Sequence, residues 1–568
     1  MRRAAGLAIA VVLGVYVTHA QQKPLLADLK TKAEASDFKS TSGYDDVVTF
    51  MKAVAQASPK TVFYTTYGTT TEGRAMPLAI VGTGLKDGSP ASVKASGKLR
   101  VHVQANVHAG EVEGKESSLI LLRELAQGKH EDWLRSMVFL ITPDYNADGN
   151  EKFGNNRGTQ NGPINGEGTR ANAQGLNINR DYIKLDTPEA KAFVKLWNDY
   201  DPQIGFDLHT SDGSYHGYYL TYSPPLNPDT DPSIMKIMTD EWFPFVTKQI
   251  KAKHGWDTFY YGNVATPGGR GGFGGGGGAG GRGRAGAPGA AGAAPGGAPP
   301  RREPCQNVQP PAGVTREWQT FEDFPRYHNN YVGFRNRFGL LSEAYAYATF
   351  EDRIKATNYF LEAALDFANQ NAPKLKQAIA DADKQRIPGQ TLATTAKIKH
   401  GGMVDVLMGE VEPIQNPVSG QTMCNRKDAV RTEQMVDAMW FDPSTTETTP
   451  SAYYVPADAA KAIELLKAHG IVMRPVTKPV SGVEQFTITA SNPAQNFEGH
   501  AMRKIEGTWS PAQNVTVPGG AVEVPMTQPL ARLAFYLLEP ASDDGLVAWN
   551  FLDDQLKDAK TYPILRKK

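Results

Sequence analysis

Between about Thr41 and Asp366, apolar runs that alternate like strands are interleaved with stretches whose leucines recur at helical spacing. This is the pattern of a sheet covered by helices. The clearest unit opens with LRVHVQANV (99–107), a β-branched alternating run, turns at HAGE, and enters VEGKESSLILLRELAQG (112–128). There Leu119, Leu122 and Leu125 share a helical face, Glu111 and Glu113 suit the positive end of the helix, and Gly128 marks its stop. Further strands are predicted at SMVFLITP (136–143), PQIGFDLHT (202–210) and RFGLLSEAYAY (337–347), followed by a largely helical region at 351–384. Beyond about Gln390 the apolar runs become short and β-like, with one clear helix at 457–466. The pattern reads as α/β, a mixed twisted sheet flanked by helices over residues 21–384, with a smaller β-rich domain of unassigned role over 385–568.

Composition refines this picture at three places. The chain has 568 residues, 60 Lys+Arg against 60 Asp+Glu, and enough apolar residues for more than one core. Of its 56 glycines, 17 fall in the 34 residues 267–300, so a Gly/Ala/Pro-rich insertion at about 265–314 accounts for the excess. Arg270, Arg282 and Arg284 lie among those glycines, but three arginines and one aromatic do not make an RNA-binding segment, and no nucleic-acid partner is expected. At the N-terminus, Arg2 and Arg3, an apolar run over residues 4–17 and the small residues Thr18 and Ala20 form the three parts of a secretory signal peptide, residues 1–20. The run is shorter than the ~20 residues of a spanning helix. Cleavage predicts a secreted or periplasmic chain of formal charge −2 with no stable membrane insertion. In that setting Cys305 and Cys424 can pair, but two cysteines do not define a disulfide framework, and the pairing stays open.

The histidines narrow the chemistry. A His followed three places later by Glu occurs once, at His108 and Glu111, where a predicted strand gives way to a helix. Both can face the crevice at the carboxyl ends of the strands, where open α/β sheets bind ligands. His209 ends another strand, IGFDLH, and alternation places Asp207 on the same face as a partner for its ring. Two His and a carboxylate are the usual protein ligands of a hydrolytic zinc site. Two competing patterns are weaker. Asp144, Asn146, Asp148 and Gly149 match the first half of a calcium loop, but the twelfth position is Asn155 where a Glu is needed. Asp212 stands three places after His209, but a His209–Asp212 pair would leave His108 and Glu111 without a third ligand.

The segments NVHAGE, PDYNADGN, NNRGTQNGP, QGLNINRDY, FDLHT and LLSEAY, in this order, resemble the zinc metallocarboxypeptidases of the carboxypeptidase A type, and more closely their bacterial secreted branch with an added C-terminal domain. The resemblance covers roughly residues 41–370. It implies one zinc ion per chain, held by His108, Glu111 and His209, and a peptide substrate with a free C-terminus. It further implies that Asn179 and Arg180 hold the terminal carboxylate, a task suited to a planar guanidinium fork beside an amide. Glu343 matches the general base, Arg157 is matched to the arginine that meets the oxyanion with Arg170 as competitor, and Tyr331 is matched to the substrate-capping tyrosine with Tyr327 as alternative. The separation of 98 positions from Glu111 to His209 is shorter than in digestive carboxypeptidases, and the glycine-rich insertion falls in the region that builds their specificity pocket, so side-chain preference does not carry over. Two other readings keep the metal site: an amidase or deacylase of N-acyl amino acids or cell-wall peptides, and an inactive zinc-containing binding module.

Overall fold

The computed structural model describes residues 26–211, 213–265, 305–306, 313–512 and 515–568. The signal segment, most of the glycine-rich insertion and Asp212 lie outside these residues.

The first ten strands are β1 (Val62–Thr69), β2 (Ala75–Val81), β3 (Leu99–Ala105), β4 (Met137–Thr142), β5 (Ile204–Thr210), β6 (Leu220–Ser223), β7 (Thr258–Tyr260), β8 (Asn263–Ala265), β9 (Glu317–Gln319) and β10 (Phe338–Ala344). Eight of them form a mixed sheet in the order β1-β2-β4-β3-β5-β10-β6-β7, with β4, β3, β5 and β10 mutually parallel at its centre. The chain leaves β3 through the helix Glu113–Ala126 to β4 on one side, while β5 lies on the other. The strand order therefore reverses between β3 and β5, and a crevice opens beyond their carboxyl ends.

Alternation along the strands divides the core in two. Met137, Phe139 and Ile141 of β4 face one layer, with Leu119, Leu122 and Leu125 of the helix Glu113–Ala126 and Phe360 of the helix Phe350–Gln370. Val138 and Leu140 face the other, with Phe193 and Trp197 of the helix Pro188–Tyr200. Gly128 stops the first of these helices at φ 77°, a conformation that only glycine adopts without cost.

The remaining strands are β11 (Thr391–Lys399), β12 (Met403–Gln415), β13 (Thr422–Ala438), β14 (Trp440–Thr448), β15 (Ala452–Val455), β16 (Arg474–Pro475), β17 (Glu484–Phe497), β18 (His500–Pro511), β19 (Val522–Pro525) and β20 (Leu565–Lys567). Six of them form the sheet β16-β19-β15-β20-β17-β18. The C-terminal region is β-rich, but it shares its core with the first 384 residues. Tyr453, Leu465 and Phe535 pack in the same cluster as Val138, Phe193 and Tyr331. The β12–β13 hairpin continues a sheet begun by β8 and β9, with Val436 opposite Glu317. Cys305 and Cys424 form a disulfide, Cα to Cα 5.4 Å, between the end of the insertion and β13.

Candidate metal centre and substrate cavity

Three strand ends bring the chemistry together. Past β3 the backbone takes a left-handed turn at Asn106, φ 60°, whose side chain donates to Asp144 Oδ1 at 2.7 Å. The following residues close on themselves, Glu111 N–H donating to the His108 carbonyl at 2.8 Å. Gly110 has no room for a side chain, because a Cβ there would lie 2.7 Å from Arg157 Cδ and 2.9 Å from the Gly168 carbonyl oxygen. His209 is the penultimate residue of β5, and Glu343 stands directly opposite it on β10.

His108 Nδ1 lies 3.0 Å from Glu111 Oε1, and His209 Nδ1 lies 2.8 Å from Glu111 Oε2. One ligand atom from each of the three residues falls within 4.8 Å of the others, and all three side chains are buried. The far nitrogen of each ring is held from behind: His108 Nε2 is 3.1 Å from Asn177 Oδ1, and His209 Nε2 is 2.8 Å from Asp207 Oδ2. Two rings oriented by oxygen partners and turned toward one carboxylate are a donor set that fits zinc. Burial, with the Arg170 charge next in weight, lowers His108 to about 3, so its ring is neutral as a ligand must be. Burial opposes the charged form of His209, yet Asp207 and Glu111 hold it well above the ordinary imidazole value. Burial likewise works against the Glu111 carboxylate, and His108 and Arg157 hold it well below the usual range. No second cluster of three such ligands occurs among the described residues. The calcium-like loop is spent on other contacts: Asp148 accepts from Thr70 Oγ1 at 2.6 Å and Arg74 at 2.7 Å, and Asn146 caps the turn Ala147–Asn150.

These groups open into a cavity of about 550 Å³ whose lining includes His108, Glu111, Arg170, Asn179, Arg180 and Glu343. Asn179 is buried and its Oδ1 has no hydrogen-bond partner. Arg180 donates to the Asn179 carbonyl at 2.7 Å, and its guanidinium lies 4.0 Å over the Tyr327 ring.

For two of the sequence assignments, the alternative residue is the one that lines the cavity. Arg157 does not line this cavity; it borders a small separate pocket with Gln160 and Glu167, and its Nη2 reaches Glu111 Oε1 at 3.0 Å. Arg170 reaches the same oxygen at 3.2 Å from the cavity side, with 36% of its side chain exposed against 10% for Arg157. Tyr331 is fully buried one helical turn beyond the cavity, where its hydroxyl meets His469 Nδ1 at 2.8 Å and Arg335 at 3.0 Å. Tyr327 lines the cavity in its place. Sequence reasoning missed Asn177, although it stands two residues before Asn179. It also missed Glu322, Arg326, Gln495, Phe497 and Glu498 in the outer wall. The last three come from the tip of the β17–β18 hairpin, where no local motif announces them.

Residues 47–230 match the family model Peptidase_M14, zinc carboxypeptidase. The chain is 27% identical over 209 residues to the Probable carboxypeptidase 2 of Arthroderma benhamiae, covering 35% of this chain and 36% of that protein. It thus spans about a third of that relative's length. It is 22% identical over 589 residues to the Carboxypeptidase 2 of Trichophyton equinum, covering 98% of this chain and 94% of that one. Among solved structures it is similar to the metallo-carboxypeptidase from Burkholderia cenocepacia, with a TM-score of 0.38, 17% identity, and coverage of 58% and 70%. No helix among the described residues is long and apolar enough to cross a membrane. The His108, Glu111 and His209 set at the mouth of the parallel strands lies within residues 47–230, the part of the chain that matches the zinc carboxypeptidase family model.

Proposed function

We propose that the protein is a zinc-dependent carboxypeptidase that removes the C-terminal residue from peptides, and that it acts after export from the cell. The observation that carries this reading is the shared cavity: a His-Glu-His donor set, the carboxylate of Glu343 and the Asn179–Arg180 pair all line or adjoin one space of about 550 Å³. When bound by His108, Glu111 and His209, zinc supplies Lewis-acid polarisation of the scissile carbonyl and acidifies water at the site. Glu343 takes a proton from the attacking water and later passes it to the leaving amine. Arg170 donates to the oxygen on which negative charge develops. Arg180 and Asn179 grip the free α-carboxylate, which sets the cut one residue from the chain end. Tyr327, stacked on Arg180, holds that guanidinium in the cavity and closes its outer side.

The test is hydrolysis of a small panel of peptides presented as free acids and as C-terminal amides, with and without a chelator. Cleavage of the free acids alone, lost with the chelator and restored by zinc, is expected. Equal cleavage of the amides would remove the carboxylate clamp, and turnover of N-acyl amino acids in preference to peptides would move the enzyme to the deacylases.

A further inference from the structure

The β17–β18 hairpin belongs to the C-terminal region, yet its tip is part of the cavity wall. Residues 491–496 are exposed, and the apolar anchor of the tip is Phe497, which packs against the core beside Trp549. Its turn is tight: Phe497 pairs with His500, and Glu498 and Gly499 between them have φ of 47° and 83°. Two positive φ angles are the signature of a two-residue hairpin turn that favours Asn or Gly, and a glutamate at the first position carries conformational strain. What Glu498 does in return is visible in its contacts. Its Oε2 accepts the Asn177 backbone N–H at 2.9 Å. Asn177 in turn accepts the Asn179 N–H on its Oδ1 at 3.1 Å, and the same oxygen faces His108 Nε2 at 3.1 Å. A single carboxylate on the hairpin therefore fixes the short segment that carries both the ring partner of His108 and the Asn179–Arg180 pair.

The opposite side of Arg180 is tied to the C-terminal region as well. Tyr327, which stacks on Arg180, follows Arg326, whose guanidinium makes a buried 2.6 Å ion pair with Asp544 and lies 5.1 Å over Phe497 of the same hairpin. The turn is docked on its other side by His500, with Nε2 2.9 Å from Asp186 Oδ2 in the loop that follows Arg180.

We propose that Glu498 is a positioning residue for the substrate-carboxylate clamp, so that the C-terminal hairpin is an integral part of the substrate site. The proposal rests on the carboxypeptidase reading above. Glu498 touches no reacting atom; it acts by holding residues 177–180 in the geometry that receives a free α-carboxylate. Loss of one charge-assisted hydrogen bond of this kind is expected to weaken carboxylate binding about tenfold or more.

Full-length wild type, Glu498→Ala and Glu498→Gln decide it through two readouts. The first is amide exchange: in Glu498→Ala, residues 174–182 should exchange at least about tenfold faster, while residues 99–105 of β3 remain as protected as in wild type. The second is kinetic: on a free-acid peptide KM should rise about tenfold with kcat changed far less, and the inhibition constant of the released amino acid should weaken by the same factor. Zinc content should stay at the wild-type level, and Glu498→Gln, which keeps an acceptor oxygen, should recover most of the loss. Unchanged exchange at 174–182, or a KM within about twofold of wild type, overturns the proposal. So does a uniform fall in zinc content, melting temperature and kcat, which marks a merely structural role. A wild-type enzyme that cleaves no free-acid peptide overturns the function proposed above and the clamp with it, while the exchange result still decides the contact.

Discussion

Two arginines approach the same oxygen of Glu111, and the difference between them is large enough to measure. Arg170 reaches Glu111 Oε1 at 3.2 Å from the cavity side, and Arg157 reaches it at 3.0 Å from behind. A donor that meets developing charge in the transition state is worth roughly 10²–10³ in kcat, or about 2.7–4 kcal/mol. Arg170→Met removes that donor while leaving Glu111 its buried partner Arg157, so zinc content and melting temperature should stay near wild type as kcat falls by about that factor. Arg157→Met does the reverse. Glu111 is 2% exposed and Arg157 is the more buried of its two arginine partners, so its loss costs part of the about 3–5 kcal/mol of a broken buried pair, the rest being kept by Arg170. That variant should melt earlier and show an altered zinc affinity, with turnover per bound zinc little changed. The assay is kcat on a free-acid peptide, normalised to zinc measured on the same sample. An Arg157→Met enzyme with full zinc and a hundredfold loss of kcat, beside an active Arg170→Met enzyme, would refute the assignment of the oxyanion donor.

Three further outcomes follow from the site and its surroundings. Glu343→Gln should keep zinc and the fold but lose about 10²–10⁴ in kcat, and substantial remaining turnover would show that another group takes the proton. His209→Ala should lower the zinc content measured by elemental analysis, and an excess of zinc should raise the melting temperature of the wild type by mass action but not that of the variant. Stability should fall between about pH 6.5 and pH 8, above the ~6.5 of an unfolded imidazole, where the buried His102, His216 and His469, lowered to about 3, no longer add stability as pH rises. Burial raises Asp229, Asp543 and Glu539 each to about 7, so the fold holds protons that the unfolded chain has released above its ordinary carboxylate values of ~4. The cost grows through that window and is complete above it, whereas Glu34 and Glu484, held low by arginine partners despite some burial, withdraw stability only below about pH 4.5. A melting temperature that rises steadily to pH 8 would contradict the sign.

What the sequence made legible was local. Strand alternation and one helical stripe sufficed to place His108 and His209 at the carboxyl ends of β3 and β5, because each residue's position follows from the few residues around it, whereas Glu343 on β10 was singled out only by the resemblance of LLSEAY. The tyrosine could not be chosen that way. Tyr327 and Tyr331 stand four residues apart at the start of one helix, Tyr331 N–H donating to the Tyr327 carbonyl, and both are buried; the contact of Tyr331 with His469 leaves Tyr327 as the one that lines the cavity. Arg157 and Arg170 share a long loop, and their sides of Glu111 are set by where that loop returns. The hairpin was beyond local reasoning altogether, since Glu498 meets Asn177 across 321 residues of chain.

The same distinction separates the two departures from a plain carboxypeptidase pattern. The glycine-rich insertion looks the more disruptive, yet its roots lie side by side: β8 and β9 are antiparallel neighbours, with Ala265 opposite Glu317, and the disulfide between Cys305 and Cys424 ties its far end to β13. An insertion that leaves and returns at adjacent points of a sheet adds little to the closure cost as it lengthens, since that cost grows only with the logarithm of loop length. The central sheet need not register its presence. The C-terminal region looks like a detachable appendage but buries Arg326 against Asp544, a pair whose desolvation is costly and whose stabilising value is therefore a poor reason for its existence. Its geometric value is clearer. Arg326 places Tyr327 on Arg180, and Glu498 places the segment that carries Arg180, so the residues beyond 384 determine the shape of the clamp while the first 384 supply its chemistry.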